Sequence, residues 1–212
     1  YRAYRGIGDV CGAARMAIAT SHGFTGGYSG SSHGVSASVI AGAGAAMQRD
    51  YAYRTARHLA ALDSPEAIGT GAGERAVRRL NPVKLSSGAM PILFDPRVGA
   101  SLVGHMAGAI TGSAIARKTS FLLGKRGERI FAPGIRIIDD PRRPRGLRSR
   151  AFDGEGLATA LCPIIDDGVL TTWLLDSASA RQLGEQPTGH AVRGASGPPG
   201  AGLSNVHMRA GR

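Results

Sequence analysis

Along this chain the spacing of apolar positions changes several times, and each change predicts a new element. Residues 35–40, VSASVI, alternate apolar and polar side chains, which predicts a strand with one buried face. Gly and Ser dominate residues 26–34 just before it, which predicts a turn or hairpin loop. Residues 42–46 read as another turn and residues 47–53 as a returning strand, so this region is expected to be an antiparallel meander. Ser64, Pro65 and Glu66 then supply a helix start: a capping hydroxyl, a ring with φ already helical, and a carboxylate near the positive helix end. That helix is expected to run to about Leu80, where Asn81-Pro82 stops it.

Residues 91–94, PILF, read as a short buried strand, and Asp95 with Pro96 starts a second helix. Along that helix Ala100, Gly104, Gly108, Gly112 and Ala116 recur every four residues, which places them on one face. Each interior Gly costs ~1 kcal/mol relative to Ala, so tight packing of this face on a sheet is expected to compensate. Residues 129–138, 157–165 and 169–175 read as strands, with Asp166-Asp167-Gly168 as the hairpin turn between the last two. Residues 194–202 are rich in Gly, Pro and Ser and read as loop. The expected fold class is α+β: antiparallel β-sheets with a few packed helices.

Composition narrows the class further. The 212 residues can bury a real core in one or two domains, and 42% hydrophobic against 19% charged residues points to a folded chain. The two cysteines, Cys11 and Cys162, give no disulfide framework and no CxxC, which fits a reducing cytoplasm, the expected location. Arg97 and Arg117 bracket a run without formal charge, but its Gly, Ser and Thr content and His105 make it too polar to span a membrane. No membrane partner is expected.

The net charge of +11 favours acidic partners. The densest basic run holds Arg142, Arg143, Arg145, Arg148 and Arg150, with no aromatic residue among them. Single-stranded nucleic acid is normally held by cations interleaved with aromatic side chains. This run therefore reads as a solvated face, and nucleic acid is not the expected partner.

Candidate nucleophiles and ligands are sparse. Ser120 with His105 and one of Asp139, Asp140 or Asp153 would make a serine-hydrolase constellation, but no GxSxG elbow is present. Asp153 and Glu155, flanked by Gly154 and Gly156, read as turn residues that bond backbone N–H groups. The six His show no metal-ligand spacing.

A set of segments in fixed order carries a resemblance. They are HGFTGGYSGSSHGVSASVI at 22–40, MQRDY at 47–51, NP at 81–82, LFDPRV at 93–98 and GSAIARKTSFL at 112–122. After these come IDDP at 138–141, PRGLRSRAFDGEG at 144–156, DGVLTTWLLDSASARQLG at 167–184 and TGHAVR at 188–193. Together they resemble the TldD/PmbA family, historically called modulators of DNA gyrase. That family pairs a zinc-protease subunit, TldD, with a related subunit, PmbA or TldE, that lacks the HExxxH zinc motif. This chain is similar to the second type: His105 stands at the first His position, Met106 at the Glu and Ile110 at the second His.

The resemblance implies no catalytic, cofactor-binding or metal residue in this chain, with His105 a lone remnant packed in a core or interface. Zinc is expected in a TldD-type catalytic partner. Ser120, Phe121, Arg145 and Arg150 are expected at a groove or interface, the two arginines ion-paired to Asp139, Asp140 or Asp153. The implied function is the non-catalytic subunit of a heterodimeric zinc metalloprotease that acts on unstructured peptides. A basic nucleic-acid- or gyrase-associated binding protein and a self-sufficient peptidase are the alternatives. Because the chain opens at Tyr1 and family members are longer, it is expected to be a fragment. Residues 1–88 would then be the end of an N-terminal or middle region, and residues 89–212 the start of a truncated C-terminal domain.

Overall fold

The structure, a computed structural model, describes residues 6–194 and 196–209. Of these, residues 6–15 and 29–91 form one compact unit and the remainder a second.

The alternating pattern makes a longer sheet than predicted, most of it in the first unit. Strands β1 (Gly6–Ala19), β2 (Thr25–Ala41) and β3 (Gln48–Ala56) lie side by side in that order. β2 and β3 pair antiparallel, from His33 opposite Ala56 to Ala41 opposite Gln48. The Gly/Ser run at 26–34 is strand, not loop. Gly and Ser are poor strand formers alone, but β2 is the central strand and satisfies its backbone on both sides.

Helix α1 (Pro65–Arg78) covers one face of this sheet. Ser64 Oγ accepts from the Ala67 N–H, the predicted cap. Ile68, Ala72 and Ala76 recur every four residues and pack on Val35, Ala37, Val39 and Ala41. The small alanines let the helix approach closely, and full burial of a residue like Ile68 contributes about 1.5–3 kcal/mol.

The second unit holds a four-stranded antiparallel sheet in the order β6 (Val169–Leu170), β5 (Cys162–Asp166), β4 (Ile137–Asp139), β9 (Val206–Met208). The predicted turn is present: Asp167 and Gly168 have φ of 46° and 81°, the two consecutive positive values of a tight hairpin. A two-stranded ribbon of β7 (Ala191–Val192) and β8 (Gly200–Ala201) lies in the same unit. The core gathers Met106, Ile110, Leu122, Ile137, Ile164, Ile165, Leu170 and Leu174. Helix α4 (Ser177–Leu183), absent from the sequence expectation, has readable signals: Asp176 accepts from Ser179 N–H at its start, and Gly184 at φ 68° ends it.

Three other expectations fail here. Residues 91–94 form no strand, and Leu93 is 99% exposed. Strands 129–138, 157–165 and 169–175 shrink to short pieces, because much of their backbone bonds into turns, as Ile135 N–H does to Ala132 C=O. The long second helix is two helices, α2 (Pro96–Ala109) and α3 (Gly112–Ala116). The break has a cause. Leu174 N–H donates to Ile110 C=O and Gly112 N–H donates to Leu174 C=O, so this strand-like contact takes backbone groups a continuous helix needs. The small-residue stripe is consequently not a packing face. Ala100, Gly104 and Gly108 face solvent, and of the three glycines only Gly112 is buried, against Ser179 and Leu175. No helix among the described residues is long and apolar enough to cross a membrane.

Candidate functional site

α2, with its C-cap Ile110, carries the three positions that the resemblance aligns with the zinc motif. Asp95 caps it by accepting from the Arg97 N–H, and Pro96 begins it, as predicted. His105 is exposed on this helix and does not pack in the core, while Met106 and Ile110 are 6% and 0% exposed and belong to the core. Zinc needs three N, O or S ligands around an open position. An alkyl side chain at 110 and a buried thioether at 106 do not fit that donor set. Among the described residues no group of three or more His, Cys, Asp or Glu could hold a metal ion.

The other predicted residues fall in separate places. Ser120 Oγ accepts from the Leu122 N–H, and Phe121 is 76% exposed. Arg145 is exposed in a turn at φ 58°. Arg150 is half-buried, and its Nε and Nη2 have no hydrogen-bond partner among the described residues. Neither arginine makes the ion pair expected of it, because backbone groups occupy the acids first. Asp140 accepts from Arg142 N–H. Asp153 accepts from the N–H groups of Glu155, Leu157 and Ala191. Glu155 in turn accepts from Ser177 N–H and Oγ.

Asp139 belongs to a cluster that residue spacing did not reveal. It is 1% exposed at the end of β4. Ser204 donates to it from N–H at 2.9 Å and from Oγ at 2.6 Å. His190, 3% exposed, places Nε2 at 3.5 Å from Asp139 Oδ2 and Nδ1 at 2.9 Å from Thr188 Oγ1. Thr188 Oγ1 also accepts from the Leu175 N–H. Burial pushes the Asp139 carboxyl up, but hydrogen bonds from His190 and Ser204 outweigh it and hold the group below the usual carboxylate range. Cys162, opposite Asp139 on β5, has its thiol pushed up to about 11 by burial and by the Asp139 charge.

This Asp, His and Ser set is not a nucleophilic triad. Ser204 Oγ donates to the carboxylate, and both ring nitrogens of His190 are engaged by Asp139 and Thr188. A base must face the nucleophile's hydroxyl instead. The chemistry is a buried tie that joins β4 to the segments around 188–190 and 204. Asp139 and His190 both lie in family-like segments, IDDP and TGHAVR, which is the one sequence signal that pairs them.

Known proteins match most of this chain. A sequence profile described as the PmbA/TldA metallopeptidase C-terminal domain matches residues 87–212, and one for the central domain matches residues 5–80. The metalloprotease PmbA of Escherichia coli O157:H7 is 43% identical over 171 residues, covering 81% of this chain and 38% of that protein. The metalloprotease PmbA homolog of Haemophilus influenzae is 38% identical, with the same coverage of 81% and 38%. The chain thus spans about two-fifths of the length of these relatives. The crystal structure of a protein from Bacteroides thetaiotaomicron, titled a modulator of DNA gyrase, superposes with TM-score 0.87 at 31% identity, over 98% of this chain and 45% of that one. TldE from Thermococcus kodakarensis shares the fold, with TM-score 0.75 at 24% identity over 96% and 46%. With profiles of two successive domains matched along it, this chain belongs to the PmbA/TldD metallopeptidase family.

Proposed function

We propose that this chain is part of the non-catalytic subunit of a two-subunit zinc metallopeptidase that acts on unstructured peptides. The observation that supports it most is the state of α2. The positions where the zinc subunit carries Glu and its second His are here Met106 and Ile110, both packed into the core. Neither can be turned toward a metal without opening that core. Zinc and cleavage would reside in a TldD-type partner, and this subunit would help enclose the peptide and admit only extended chains. Extended peptides bind by backbone pairing, which tolerates many sequences.

The test is co-purification of the full-length protein with its organism's TldD-type protein, with zinc content and peptide cleavage measured on each alone and on the complex. The expected result is zinc in the partner and cleavage only when both are present. Stoichiometric zinc or cleavage in this protein alone overturns the proposal and returns the self-sufficient peptidase.

A further inference from the structure

The face of the β1–β3 sheet turned away from α1 has a single chemical character. Val35, Ala37, Val39 and Ala41 pack toward α1, so strand alternation turns Ser32, Gly34, Ser36 and Ser38 to the other side. The register brings Tyr51 opposite Ser38, Tyr53 opposite Ser36 and Thr55 opposite Gly34 on that same side. β1 joins it through Gly8 and Gly12, where a Cβ would lie 3.4 and 3.6 Å from the hydroxyls of Ser36 and Ser32. The result is an open trough of about 340 Å³ whose lining includes Gly8, Val10, Gly34, Ser36, Tyr53 and Thr55.

Tyr51 and Tyr53 stack with ring centroids 6.1 Å and planes 19° apart, yet are 46% and 53% exposed. Two aromatic rings held parallel on a water-facing sheet form a ready stacking platform. The same alternation places Arg49 beyond Tyr51, and Arg57 follows β3 directly. Arg57 lies across Gly30 and donates to Ser31 C=O at 3.1 Å. The neighbouring acids alternate to the opposite face: Asp9 stands between Gly8 and Val10, and Asp50 is buried, 3.7 Å from Arg79 of α1.

These are the groups that hold a nucleic-acid strand without reading its sequence. Unpaired bases stack on aromatic rings, phosphates meet guanidinium and hydroxyl groups, and glycines in the lining let a flat ligand approach the backbone. The arginine run at 142–150 has cations alone, whereas this face has cations and aromatics together. We infer that the outer face of the β1–β3 sheet binds single-stranded nucleic acid, with Tyr51 and Tyr53 as the stacking platform. The inference does not rest on the subunit proposal and needs no partner protein.

Fluorescence anisotropy on the full-length protein tests it, using labelled oligothymidine and oligouridine of about 12 nucleotides, a length within the usual site size. Binding is expected at about 50 mM salt and is expected to weaken at about 200 mM. Paired Tyr51→Ala and Tyr53→Ala substitutions should weaken it by roughly tenfold or more, and the paired Phe substitutions should preserve it. Ser36→Glu, which sets a carboxylate on the face without removing an aromatic, should also weaken it. Arg142→Gln with Arg143→Gln should change it less than about twofold, since that loop makes none of the stacking contacts. Equal affinity for the two oligonucleotides assigns the site to single strands generally, and preference for uridine assigns it to RNA. Absence of binding at low salt overturns the inference, as does binding that the Ala and Glu variants leave intact. An unstructured peptide that binds this face where the oligonucleotides do not overturns it in favour of a polypeptide ligand.

Discussion

His190 Nε2 stands 3.5 Å from Asp139 Oδ2, and the two residues are 3% and 1% exposed. Asp139 caps the end of β4, while His190 precedes β7, so one carboxylate ties together segments fifty-one residues apart in the chain. Removing it leaves the His190 ring and the Ser204 N–H and Oγ without their acceptor inside the protein. Asp139→Ala is expected to lower stability by about 2–4 kcal/mol, read as a shift of the urea midpoint at unchanged slope.

The same carboxylate sets a pH dependence. Its folded pKa is lowered, because hydrogen bonds from His190 and Ser204 outweigh the opposing effect of burial. A lowered acid stabilises the fold fully above its unfolded pKa, and that contribution is lost as pH falls through the folded value. Stability should therefore drop below about pH 4 in the native protein. Asp139→Asn should flatten that drop. Urea midpoints measured across the acid range read the difference; parallel curves for the two proteins would refute it.

Glycines on the α2–α3 stripe should respond with opposite signs. A Cβ at Gly104 or Gly108 meets nothing within 4 Å, so Ala there should stabilise by up to about 1 kcal/mol through helix propensity. A Cβ at Gly112 collides with Ser179 and Leu175, so Gly112→Ala should cost about 1–3 kcal/mol. Thermal melts of the three single variants distinguish this from uniform packing of the stripe.

Neighbours on α2 should also separate. Met106→Ala opens a cavity in the core and should cost about 2–4 kcal/mol, whereas exposed His105→Ala should change stability by less than about 0.5 kcal/mol. Comparable losses for both would mean that His105 is buried in the native protein.

Cys162 should react slowly with a thiol reagent at pH 8, since burial and the Asp139 charge push its thiol up to about 11 and little thiolate is present. Asp139→Asn removes the charge and should speed the reaction. Labelling rates followed by mass spectrometry test both statements.

Local signals in the sequence decided a large part of this structure. Ser64-Pro65 and Asp95-Pro96 set both long helix starts, because a cap acts within its own turn. Asp167-Gly168 set the hairpin, because positive φ is a property of those two residues. The alternation at 35–40 marked the face that α1 covers, because a buried strand face shows in residue order alone. Only tertiary contacts decided the rest. The Gly/Ser run became a strand because two neighbours paired with it, the second helix broke because Leu174 took its backbone bonds, and Asp139 met His190 across the fold. Tyr51 and Tyr53 of β3 likewise acquired their shared face with the β2 serines through strand register. Caps and turns depend on residues within one turn of each other, whereas strand partners and buried pairs depend on residues that the chain order separates.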